Sequence, residues 1–111
     1  MHRKNAKNPN CALARSLEVM GDRWTLLIVR EAGNGSERFT QIERNLGIAA
    51  NILSARLRKM ELDGIIKARL SDDGARNIYC LSAKGRGLYD VLTALCRWGE
   101  EHLCQDLPST R

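Results

Sequence analysis

The chain has 111 residues, 43% of them hydrophobic and 5% aromatic, with a formal net charge of +5. That length suits one compact domain, which buries roughly 65% of the surface its unfolded chain exposes. No run of about 18 apolar residues and no signal-peptide core is present, so no helical membrane span is expected and the protein is expected to be cytoplasmic and nucleoid-associated.

The positive charge is uneven. Residues 1–10 carry Arg3, Lys4 and Lys7 and no acid, and residues 38–69 carry seven bases against three acids, whereas residues 84–104 are neutral. Such a surface favours a polyanionic partner, although a basic protein without one has the same composition. Cys11, Cys80, Cys96 and Cys104 form no CxxC pair and no Cys/His set with zinc spacing, so free thiols and no metal or other cofactor are expected.

Residues 1–10 read as a flexible basic arm, 11–104 as the folded domain and 105–111 as a polar tail. Apolar residues at 13, 17 and 20 have helical spacing, and Gly21 suits a left-handed stop. Asp22 can cap the next helix, 23–32, whose apolar residues on nearly every side predict a central core helix. Thr40 and Glu43 form a capping box for a short helix over 40–46, closed by Gly47. A further helix over 49–63 places Leu53, Leu57 and Met60 on one stripe at about 100° per residue, with Asn51, Ser54, Ala55 and Arg58 opposite. Gly64 stops it. Two β-rich runs joined by Asp72-Asp73-Gly74-Ala75 predict a hairpin. A last helix over 84–104 carries Leu88, Val91, Leu92, Leu95 and Trp98 on a stripe broader than one core-facing helix requires. The order predicts a mainly helical chain with a small β-hairpin wing (α+β): a winged helix-turn-helix with a helix added on each side.

In a helix-turn-helix the second helix enters the major groove and its exposed N-terminal half meets base edges. Asn51, Ser54 and Arg58 project together there; Asn pairs with adenine, Arg with guanine, and Ala50 and Ala55 can touch a thymine methyl. Taken alone, such a face also describes any solvated amphipathic helix. Arg56 lies near the core edge and suits an ion pair as well as a phosphate. Lys59 on the flank, Arg38, and Thr40 and Gln41 at the start of the short helix are candidates for phosphate. Arg76 and Asn77 of the wing are candidates for a minor groove or backbone, next to two unhelpful acids. Cys11, at a helix start near cations, is a candidate redox thiol. Its bland reading is an inert cysteine.

Together, the initial Cys11, the GDRW motif at 21–24, RFTQIERNLGI at 38–48, LSARLRKMELDG at 53–64, Lys84-Gly85 and Arg97-Trp98-Gly99 resemble the HxlR-type winged helix-turn-helix regulators. The resemblance implies a homodimer built from the first and last helices, with Leu13 and Leu17 joining the stripe of the last helix, on a pseudo-palindromic DNA operator. It also implies that some members sense electrophiles or oxidants through the initial cysteine. Ala12, Ala49 and the wing sequence SDDGARNIY depart from residues common in the family. The expectation is a homodimeric regulator of double-stranded DNA, not an enzyme, with thiol chemistry at Cys11 or a small effector as its candidate switch and no membrane partner. The rival readings are a winged-helix protein-interaction module and a thiol-based redox protein using Cys11.

Overall fold

The computed structural model describes residues 11–35, 38–72 and 77–104. Eight elements follow in chain order: α1 (Ala12–Met20), α2 (Thr25–Gly33), α3 (Phe39–Leu46), α4 (Ala50–Leu62), β1 (Ile66–Leu70), β2 (Asn77–Leu81), α5 (Ala83–Arg86) and α6 (Leu88–His102). The two strands pair antiparallel, from Ile66 opposite Leu81 to Leu70 opposite Asn77. This is a winged helix-turn-helix, as the element order predicts.

The core forms where the apolar stripes converge. Ile28 and Val29 of α2, Ile42 of α3 and Leu53 of α4 are fully buried, and Leu57, Met60, Ile65, Ile66, Tyr79 and Leu81 close around them. α2 packs against α1, α3, α5, α6 and β2, the central position its all-round apolar sequence predicts. Its one buried acid, Glu31, accepts a hydrogen bond from Asn45 Nδ2 at 2.9 Å and pairs with Arg30 at 3.3 Å, which ties α2 to α3 without leaving a buried charge unsatisfied.

Four local expectations need correction. The capping box at Thr40 does not form. Arg38 occupies the cap position without a side-chain bond, and its extended backbone bridges to Ile78 of β2, so α3 starts one residue earlier and Thr40 lies within its first turn. Gly21 is right-handed (φ −80°); its value is close approach, because a β-carbon there would meet the carbonyl of Leu17. The helix expected over 84–104 is two helices. Ser82 Oγ accepts from Gly85 N at 2.9 Å and caps α5, which ends at Gly87 before α6 begins. Leu88, expected on a subunit interface, is 8% exposed and belongs to the core of its own chain. By contrast, Gly47 (φ 65°) and Gly64 (φ 77°) do adopt the left-handed backbone that closes α3 and α4.

Candidate nucleic-acid interface

The turn between α3 and α4 is made by Gly47 in the left-handed region and by Ile48, which plugs the core and fixes the angle between the two helices. α4 then buries Leu53, Leu57 and Met60 and turns the opposite face outward. Ala50, Asn51, Ser54, Ala55 and Arg58 are all exposed. Asn51, Ser54 and Arg58 have no intramolecular polar partner among the described residues, so their donors and acceptors are available to a ligand. Thr40 and Gln41 are exposed at the start of α3, and Arg38 is half-buried beside them.

The two basic residues on the flank of α4 are engaged within the chain. Arg56 Nη1 lies 3.2 Å from Asp22 Oδ1, with both side chains about three-quarters buried. Its partner comes from the corner between α1 and α2. Lys59 Nζ lies 2.6 Å from Asp63 Oδ2 and donates to the carbonyl of Glu18 at 3.2 Å. Asp22 is also the acceptor that starts α2, receiving the N–H groups of Trp24 at 2.8 Å and Thr25 at 3.0 Å and the Thr25 hydroxyl. Burial pushes its carboxyl up, but the Thr25 hydroxyl, the two N–H donors and the Arg56 guanidinium outweigh that and hold it below the ordinary 3.8. The other members of the GDRW motif are structural as well: Arg23 stacks 4.9 Å from the Trp24 ring, and Trp24 packs on the core.

On the wing, Asn77 is exposed, whereas Arg76 lies outside the described residues. Two exposed groups escape the sequence reading. Lys67 and Arg69 alternate on β1 and share one face of the wing, a period-of-two signal visible in the sequence. Ile52, 44% exposed, is an aliphatic side chain beside Asn51. Cys11 is half-buried immediately before α1 and its carbonyl accepts from Arg15 N at 3.0 Å. Among the described residues no three His, Cys, Asp or Glu side chains are grouped to hold a metal, and no helix is long and apolar enough to cross a membrane.

A second surface is formed by α1 and α6. Leu13 and Leu17 of α1 line a groove with Met20, Leu26, Val91 and Leu95. Leu17, Leu95 and Trp98 are each more than half exposed, and Leu92 packs partly onto the core.

Residues 19–107 match the profile of the HxlR-like helix-turn-helix family. The chain belongs to that family. An uncharacterized HTH-type transcriptional regulator of Mycobacterium tuberculosis is 45% identical over 93 residues, covering 83% of this chain and 59% of that protein. The chain thus spans about six-tenths of that relative's length. YvaP of Bacillus subtilis, named in the same way, is 34% identical over 89 residues, 78% of this chain and 82% of its own. Among solved structures, PA1607 superposes with a TM-score of 0.88 at 40% identity, covering 95% of this chain and 74% of that one. The redox regulator HypR in its oxidized form gives 0.74 at 26% identity, over 83% and 97%. This HxlR-like chain therefore shares both fold and sequence with proteins named as transcriptional regulators.

Proposed function

We propose that this HxlR-like chain is a transcriptional regulator that binds double-stranded DNA sequence-specifically as a homodimer. The observation that carries the reading is the outward face of α4: an amide, a hydroxyl and a guanidinium without internal partners, flanked by Ala50 and Ala55, on a helix whose other face is locked into the core. Asn51 supplies the donor and acceptor that together suit adenine, Arg58 supplies the paired donors that suit guanine, and Ser54 reads either. Arg38, Thr40 and Gln41 meet the phosphate backbone, and Asn77 with Arg76 reaches it from the wing.

A second copy of the chain covers the apolar face of α1 and α6. Leu13, Leu17, Val91, Leu95 and Trp98 are too large and too contiguous to leave in water, and a two-fold pair puts two α4 helices about one DNA turn, roughly 34–36 Å, apart. Selection of bound sites from random duplex DNA tests the reading. A two-fold symmetric consensus, bound less tightly as salt rises, is expected. Binding without sequence preference, or none, favours an interaction module that keeps the fold without the DNA.

Thiol switching at Cys11 is a second reading, favoured by the likeness to HypR, a redox regulator solved in reduced and oxidized forms. Oxidant added to the same binding reaction tests it: affinity changes in the native protein and not in Cys11→Ser.

A further inference from the structure

The internal bonding of the flank of α4 suggests a second role for its basic residues. Arg56 and Lys59 stand one turn apart, and both turn away from the face carrying Asn51 and Arg58 toward the corner where α1 meets α2. Arg56 reaches the Asp22 carboxylate, which is fixed by three further donors at the start of α2. Lys59 reaches the Glu18 carbonyl in the last turn of α1, and its own orientation is fixed by Asp63 one turn along α4. That same turn of α1 carries Leu17 and Met20 into the groove with Val91 and Leu95, a groove that Asp22 also lines. A polar tether thus connects the reading helix to the helix that lines the apolar face, with α2 as the anchor between them.

We infer that Arg56 and Lys59 are positioning residues that set the angle of α4 relative to α1, and hence the spacing at which a dimer presents its two reading helices. The inference rests on the dimeric DNA-binding reading given above. The lever is long enough to matter. Thirteen residues make α4 about 18 Å long, and a rotation of about 10° at its Met60 end displaces Asn51 by about 2 Å. Successive base pairs are about 3.4 Å apart, so a shift of that size at both half-sites is comparable to one step of the duplex. The core stripe of Leu53, Leu57 and Met60 holds α4 down but resists rocking weakly, because apolar contact is non-directional. Charged hydrogen bonds at the flank supply the missing direction.

The test uses the duplex selected by the native protein, remade with its centre lengthened or shortened by one base pair, and the variants Arg56→Met, Lys59→Met, Arg56→Lys and Asp22→Asn. Sedimentation and thermal melting establish that each variant is a folded dimer. The native protein is expected to prefer one spacing at least tenfold. Arg56→Met and Lys59→Met are expected to reduce that preference to threefold or less, or to move its optimum. Arg56→Lys, which can still reach Asp22, is expected to keep it. Asp22→Asn is expected to act like Arg56→Met, since the amide oxygen can still accept from α2 but carries no charge for Arg56. The salt dependence is expected to keep its slope, whereas removing a side chain that neutralises a phosphate lowers it by about one. An equal weakening on all three spacings, a lowered slope, or an unchanged preference overturns the inference and leaves the dimeric reading standing. A native protein that is monomeric or indifferent to spacing overturns both.

Discussion

Gly85 of α5 lies against the main-chain carbonyl of Ile65 so closely that a β-carbon could not be fitted between them. The contact sits where the chain passes from α4 to the wing and back. Ile65 O also accepts from Ser82 N at 3.0 Å, and Ser82 Oγ caps the turn that holds Gly85. Because the obstacle is backbone and not the tip of a mobile side chain, it cannot swing aside. Gly85→Ala is expected to cost about 1–3 kcal/mol, in the range of other overpacked sites. Urea unfolding should show a lower midpoint with an unchanged slope.

Leu57→Ala is expected to be worse. Its side chain is 2% exposed, between neighbours on α4 that are equally buried, and the cavity left behind should cost about 2–5 kcal/mol. The same denaturation experiment measures it, and it provides a scale for the glycine substitution.

Acid should find Asp22. Its carboxyl titrates below its ordinary value in the folded chain, so the unfolded chain takes up a proton first as pH falls. The stability it supplies is whole above about pH 4 and is lost as pH drops through the lower folded value. Melting curves from pH 2.5 to 6 should therefore fall less steeply in acid for Asp22→Asn than for the native chain. Between pH 5 and 8 the two should run parallel, since this group does not titrate there.

On the proposed reading of DNA, Arg58→Ala and Asn51→Ala should each weaken binding by about 1–3 kcal/mol and relax the sequence preference at one position of each half-site. Binding measured against all single-base variants of the selected duplex separates this from a phosphate-binding role, in which substitution weakens every sequence alike.

If the chain dimerises as proposed, Trp98→Glu should separate the subunits without unfolding them. The ring is more than half exposed in the single chain and lies 5.1 Å from that of His102, so replacing it disturbs little of the core. Tryptophan is among the residues enriched at interface hot spots, where truncation costs about 2 kcal/mol or more. On that reading, sedimentation is expected to show a dimer for the native chain and a monomer for the variant at the same concentration.

Much of the fold is legible along the chain because its signals are local. The three-and-four spacing of Leu53, Leu57 and Met60 needs only helical geometry to reveal one buried face and, by subtraction, the exposed one. Gly47 and Gly64 mark reversals because left-handed backbone strains other residues. The long apolar run of α2 announces a central helix because a helix apolar on every side must be covered on every side. The resemblance to the HxlR-type family is likewise carried by ordered motifs, and the family assignment at residues 19–107 agrees with it.

Other features depend on what lies opposite. Nothing local distinguishes Leu88 from Leu95 on one stripe, yet the first is buried in the core of its own chain while the second faces outward. Thr40 and Glu43 have the spacing of a capping box, but the bridge from Arg38 to Ile78, forty residues away, starts the helix earlier. Arg56 and Lys59 carry the same charge as Arg58, and only the folded chain separates them. Asp22 and the Glu18 carbonyl lie 34 and 41 residues upstream of the side chains they hold. Periodicity and backbone sterics act over a few residues and so are written in the sequence itself. Which charge is neutralised, and which apolar face is covered, is decided by groups far apart in the chain that only the tertiary structure brings within bonding distance.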